Sequence, residues 1–186
     1  PGQDHDVYNT EIENIMHGFV TKNAVNPTNT NRKYPHMVAS ASLNRGGVLT
    51  FQSTYEPLAD ELESLSESSG LGACVKLDAQ NKQEVFEVLE GIDKTYDNGA
   101  NQPYIFSRKF DNIIKRSYTK SNIGHKNMAY VGGQGEGADR EIVLINDNLS
   151  GYDRREVFID ARDISKDSET TLSDRGAVKL AEYPET

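Results

Sequence analysis

Tryptophan is absent, cysteine occurs once (Cys74), and proline only six times in a chain of 186 residues. A lone thiol closes no internal disulfide and cannot build a cysteine-rich zinc site, so a reducing compartment is compatible with the sequence. No stretch approaches the ~18 apolar residues of a membrane-spanning helix, and no basic-then-apolar leader opens the sequence, so no membrane partner is expected. Apolar residues are sparse: 35% are hydrophobic. That is low beside the ~45–50% of an average globular domain, even once glycine is counted with them. Positive charge is in deficit as well, with 20 basic against 29 acidic residues and a net charge of -9. Such a balance disfavours phosphate backbones, so no nucleic acid is expected as partner. A thin core and an acidic surface fit a subunit that completes its burial against other chains better than a free-standing enzyme. The sequence opens at Pro1 without Met, as expected of an inner piece of a longer protein.

What is present reads as α+β. Thr10 followed by Glu13 has the spacing of a capping box, and Ile12, Ile15, Met16, Phe19 and Val20 then line one side of a helix over residues 10–20. After a polar loop with Arg32 and Lys33, segments 37–43 and 48–53 read as two strands, joined as a hairpin through Asn44-Arg-Gly-Gly47. Pro57 starts a second helix over 57–68, Leu58, Leu62 and Leu65 form its apolar side, and Gly70 stops it, with Leu71 folding back on Leu65. Short strands follow at 73–78, 84–90, 104–106, 113–120, 126–131, 141–146 and 155–160, mostly antiparallel and barrel-like in the second half. A charged loop at 165–169 leads to a last helix over 172–182 with Ala177, Leu180 and Ala181 inward. The Asn- and Gly-rich stretch 93–103 divides a helix-bearing region, 1–95, from a strand-rich region, 96–186.

Residues that could carry chemistry are few. Gly132, Gly133, Gly135 and Gly137 cluster after a strand, as in phosphate-binding loops, but Ala138-Asp-Arg-Glu141 leads into the β-branched run Ile142-Val-Leu-Ile145 rather than a helix. With Glu136 among them, these glycines are expected to serve a turned or mobile strand connection. Asp160 and Asp163, flanking Arg162, could form a carboxylate pair for glycoside hydrolysis or ligate a metal, yet nothing supplies the rest of such a site. Structural ion pairs and turn caps are expected there, continuing into Asp153-Arg-Arg155. His5, His17, His36 and His125 lack the i, i+4 or His-x-His spacing of a zinc site, and His17 falls on the polar side of the first helix. Cys74 reads as a small buried hydrophobe in a strand, and no serine sits in a nucleophile elbow. No catalytic, cofactor-binding or metal-ligating residue is therefore assigned. The chain is expected not to be an enzyme and to need no cofactor.

One ordered set of motifs goes further: Val25-Asn-Pro27, Asn31-Arg-Lys33, Phe51-Gln-Ser-Thr-Tyr55 running into Leu58-Ala-Asp-Glu-Leu62, Ser69-Gly-Leu-Gly72, Phe106-Ser-Arg-Lys-Phe-Asp-Asn112, Ala129-Tyr-Val-Gly-Gly-Gln-Gly-Glu-Gly137 and Arg154-Arg-Glu-Val-Phe-Ile-Asp-Ala-Arg-Asp163. Over about residues 9–183 the chain resembles a siphovirus tail protein family of tailed phages and prophages of Gram-positive hosts. The resemblance implies a baseplate-hub or tail-tip protein, built from barrel-like and smaller α+β domains. It further implies a homotrimer around the tail channel, other tail and baseplate proteins as partners, and a place in the virion tail after assembly in the host cytoplasm. Some such proteins carry a separate peptidase or lysin domain, none of whose motifs occurs here. Two rival readings remain: a cell-wall hydrolase using Asp160 and Asp163, and a carbohydrate-binding module stacking sugars on Tyr8, Tyr55, Tyr96 and Tyr152.

Overall fold

The computed structural model describes residues 6–165 and 171–186. His5 and the charged loop expected at 165–169, Ser165 apart, lie outside them. Among the described residues three open sheets and three α-helices form an α+β fold. Strand β1 (Asp6–Glu11) pairs antiparallel with β3 (Val48–Ser53), bringing Tyr8 opposite Phe51. Helix α1 (Ile12–Val20) follows β1 without a break and runs on into a wider π-turn, Thr21–Val25, before Pro27. The second sheet has the order β2-β5-β4: β5 (Gln83–Glu90) lies between β2 (Met37–Ala39), parallel to it, and β4 (Leu71–Asp78), antiparallel to it. In the third, β6 (Met128–Gly132) is central, antiparallel to β7 (Ile142–Ile145) and parallel to β8 (Glu156–Asp160).

The hairpin expected at 37–53 does not form, because its two strands join different sheets. Residues 44–47 do bend sharply, with positive φ at Asn44, Gly46 and Gly47, but the bend serves α1 instead. The Ile12 amide donates to the Gly47 carbonyl at 3.0 Å and the Glu13 amide to the Arg45 carbonyl at 3.1 Å. These bonds satisfy orphan donors at the helix start, the task that the Thr10–Glu13 capping box was expected to perform. Thr10 lies in β1 and gives its hydroxyl to Glu11, while the Glu13 side chain turns inward. At Gly46 only glycine fits: φ is 91°, and a Cβ would stand 2.8 Å from Leu71 and 3.0 Å from Ile12.

Helix α2 (Leu58–Ser69) has Pro57 at its N-cap and ends at Gly70, in the left-handed region at φ 72°. Leu65 and Leu71 meet in one core with Ile12, Ile15, Met16, Phe19, Phe51, Phe86 and Val88. A second core gathers Ala129, Val131, Ile159, Ala161, Ile164 and Leu172. Helix α3 (Leu172–Ala181) touches both, packing against α2 and β3 as well as β6, β7 and β8. A complete capping box, Thr171 with Asp174, starts it. Its inward face is Leu172, Gly176 and Val178, whereas Ala177, expected inward, is exposed and Leu180 and Ala181 are half-buried. The helix is turned this way because Gly176, lacking a side chain, lets the backbone approach Val131 and Ile145.

Two further expectations fail in the second half. Among the described residues no barrel closes there: the third sheet stops at three strands and leaves β7 and β8 as edges. Residues 104–106 and 113–120 are not strands. Their composition is strand-like, but a strand exists only through a partner, and no described edge lies beside them.

Candidate functional site

The expected acidic pair sits where β8 runs out towards α3, and the structure assigns each carboxylate to a different arginine. Asp160 accepts from Arg140 Nη2 at 2.6 Å, with Arg162 at 3.4 Å, while Asp163 accepts from Arg175 Nη2 at 2.8 Å. Arg175 also donates to the Gln52 carbonyl on β3. Asp160 further accepts from the Arg162 amide, a turn cap of the kind the sequence implied. Both aspartates line a cleft of about 440 Å³ between β3, α2 and α3, with Glu56, Asp60, Glu61 and Lys179 on its walls. Glu61 is buried, and burial pushes its carboxyl up, while a bond with Ser53 and the charges of Arg175 and Lys179 pull the other way. Glu61 thus faces the cationic side chains of Arg175 and Lys179. In this cleft Asp163 anchors α3 through Arg175, while Asp160 ties the end of β8 to Arg140, just before β7.

The glycine cluster makes a tight strand connection, as expected. The Gly133 amide donates to the Glu141 carbonyl at 2.9 Å, and the Glu141 amide to Gln134, extending the β6–β7 ladder around a turn with positive φ at Gly135 and Gly137. Arg140 closes it, donating from Nε to the Gly133 carbonyl and from Nη2 to the Gly132 carbonyl, with its guanidinium 5.1 Å from the Phe158 ring. Arg140 thereby fastens its own turn to the end of β6, and the segment is a clasp.

The network around Asp153-Arg-Arg155 is centred on Arg154. It reaches Asp147 at 2.9 Å, Glu156 at 2.5 Å and the Tyr130 hydroxyl at 3.1 Å, and these partners, Glu156 foremost, raise its pKa further. Arg155 donates to the Asn122 carbonyl. Of the histidines, His17 is buried rather than on a polar side: its ring meets Phe86 edge-on at 5.3 Å and its Nε2 has no hydrogen-bond partner. Burial lowers its pKa, against the opposing pull of the Glu13 carboxylate 3.9 Å away. His36 is exposed, and His125 Nδ1 lies 2.9 Å from the Tyr183 carbonyl. Cys74 is half-buried on β4 rather than fully enclosed. Tyr8 packs edge-on against Phe19, whereas Tyr55, Tyr96 and Tyr152 stand exposed and apart from it. Among the described residues no group of three or more His, Cys, Asp or Glu could hold a metal ion, and no helix is long and apolar enough to cross a membrane.

Sequence reasoning missed Glu13 and Arg45. The signal was there, since Glu13 shares a helix face with Met16, His17 and Val20 by its spacing of three, four and seven. It also missed where apolar surface stays open. On the outer face of the third sheet Tyr130, Ile142, Leu144 and Phe158 are neighbours, and the last three are each about half-exposed. On β4 Val75 and Leu77 are exposed, and along 91–127 so are Ile92, Tyr104, Phe106, Phe110, Ile114, Tyr118 and Ile123. Much of the polar chemistry is thus spent on ion pairs and turns, while these exposed patches are apolar and aromatic, the composition of a contact surface.

Over residues 1–186 the chain matches the protein family described as Siphovirus ReqiPepy6 Gp37-like protein, and it belongs to that family. No curated protein and no solved structure matches it.

Proposed function

From this membership of a siphovirus family, we propose that the chain is a structural component of the virion, placed in the tail tip or baseplate hub and acting through protein–protein assembly. Its partners are other tail and baseplate proteins, and it works as a homotrimer around the tail channel, with no catalytic step of its own. The observation that carries this reading is the half-exposed apolar face of the third sheet, over which lie the guanidinium groups of Arg140 and Arg154. Monomeric soluble proteins seldom leave a sheet with one face packed by a helix and the other lined by Ile142, Leu144, Phe158 and Tyr130. Burying such a face against a neighbouring subunit is the ordinary resolution. The fixed ion pairs of Asp160 and Asp163 agree with it, because each carboxylate stabilises a junction between elements.

The test is made in particles. Phage carrying Leu144→Asp with Phe158→Asp should yield short, incomplete or absent tails in electron micrographs, and the protein should be found by mass spectrometry in tails of the parent phage. Normal tails combined with loss of cell-wall degradation would establish the hydrolase instead. Normal tails combined with loss of sugar binding would establish the carbohydrate-binding module.

A further inference from the structure

We propose that residues 104–126 form an arm which one copy of this chain lends to a second copy, with residues 113–120 adding as a strand to the open edge of β4. The inference rests on the assembly reading above and adds the segment that makes the contact and the edge that receives it.

Charge is the first argument. Residues 104–126 hold six basic residues, Arg108, Lys109, Lys115, Arg116, Lys120 and Lys126, against the single acid Asp111, in a chain whose net charge is -9. Residues 56–90, which contain α2 and the β4–β5 hairpin, hold nine acidic residues against Lys76 and Lys82. The same sequence thus carries a cationic segment and an anionic surface that complement each other between copies.

Backbone and side chains give the second. Ile114 and Tyr118 project into solvent, as do Tyr104, Phe106, Phe110 and Ile123. Among the described residues, no backbone group of 113–120 bonds to another backbone group. Alternation puts Ile114, Arg116, Tyr118 and Lys120 on one side of that segment, a strand pattern without a sheet. The segment is nonetheless anchored. The Tyr104 amide donates to the Lys94 carbonyl, Ser121 and Thr186 exchange backbone hydrogen bonds, the Lys126 amide donates to Tyr183, and Lys120 pairs with Glu185. Pinned ends reduce the entropy lost when the middle is ordered on a partner.

The receiver is specified by the second sheet. Among the described residues β4 pairs with no strand but β5, so beyond Leu71, whose amide donates to Ser69, its other edge is open along a strand of eight residues, the length of 113–120. Val75 and Leu77, 51% and 77% exposed, lie on the same face as Glu84, Phe86 and Glu90 of β5. An added strand covers the two apolar residues with Ile114 and Tyr118 and brings Arg116 and Lys120 towards the carboxylates. A polyanion such as a nucleic acid would also meet the arm's charge, but the acidic remainder of the chain repels it.

The 186-residue chain is examined by sedimentation in 50 mM and 500 mM salt, and by zero-length carbodiimide cross-linking of mixed ¹⁴N- and ¹⁵N-labelled protein. Association that weakens at least fivefold in high salt is expected, with mixed-isotope cross-links from Lys115 or Lys120 to acidic residues of 56–90. Ile114→Asp with Tyr118→Asp, and separately Val75→Asp with Leu77→Asp, should weaken association tenfold or more with unchanged circular dichroism. Ser117→Pro keeps every charge but removes a strand amide, and it should weaken association similarly. A chain that stays monomeric, one that associates equally well in all these variants, or one that binds an oligonucleotide through the arm while staying monomeric would overturn the proposal. None of these results touches the tail assignment, which the micrographs decide separately.

Discussion

The guanidinium of Arg45 grips the carboxylate of Glu13 through two bonds, Nε to Oε2 at 3.0 Å and Nη2 to Oε1 at 2.9 Å, across 32 residues of sequence. The Arg45 amide adds a third bond to Oε2 at 2.9 Å, and Nη2 also reaches the Val88 carbonyl on β5 at 2.6 Å. One buried carboxylate thus ties α1, the loop before β3 and the second sheet together. Removing it leaves a mostly enclosed guanidinium with only the exposed Glu90 carboxylate, 3.9 Å away, as counter-charge, so Glu13→Ala should destabilise the fold by about 2–3 kcal/mol in urea unfolding. A loss below about 0.5 kcal/mol would show that the tie is ornamental.

The same pair sets an acid limit. The bonds from Arg45 lower the Glu13 pKa from 4.5 to about 2. Because the folded value is depressed, the contribution is complete above 4.5 and disappears as pH falls through the folded value. Stability of the parent chain should therefore fall between pH 4.5 and 2 more steeply than that of Glu13→Gln. Parallel curves for the two would contradict the assignment.

Asp160→Ala and Asp163→Ala should each cost roughly 1 kcal/mol in the same measurement. Both carboxylates are partly exposed, and each arginine keeps carbonyl partners, Gly132 and Gly133 for Arg140 and Gln52 for Arg175. Neither variant should differ from the parent chain when incubated with purified cell walls, since neither protein should release sugar or peptide.

Glu61→Gln should be neutral or stabilising at pH 7. Burial raises the pKa of this carboxyl, so ionisation costs the folded state more than the unfolded one as pH rises above the ordinary 4.5. Any advantage of the variant should accordingly grow with pH over that range and vanish below it. A variant that is weaker at pH 7 than at pH 4 relative to its parent would reverse this sign.

Gly176→Ala tests the seat of α3. An added Cβ would lie 2.6 Å from Val131 and 2.9 Å from Ile145, both side chains of the sheet beneath. Overpacking of this kind costs about 1–3 kcal/mol. A thermal melt showing no loss would mean that the helix shifts freely on its sheet.

Local patterns told the truth about elements whose cause is local. Helix α1 followed from Ile12, Ile15, Met16, Phe19 and Val20, α2 from Pro57 to Gly70, and β4 to β8 from short apolar alternations between turns, so that the α+β class was legible. So were the clasp at Gly132 to Gly137 and the structural use of Asp160 and Asp163. The misreadings share one reason. Residues 37–53 looked like a hairpin because the turn chemistry of 44–47 was genuine, but whether two strands pair depends on which edges other segments offer, and β1 and β5 took them. Helical spacing puts His17 on a polar face because it gives a direction and no neighbour, and the neighbour is Phe86.

Charge balance, the positions of helices and turns, and the family are each written in consecutive residues or in an ordered series of short motifs, so they can be read without coordinates. The tertiary structure alone decided that Glu13 faces inward to Arg45, that the second-half strands stop at an open sheet of three, and that 113–120 stays outside any sheet. The physical reason is that pairing, burial and closure are properties of two surfaces at once. A single segment specifies its own surface and never the one it will meet.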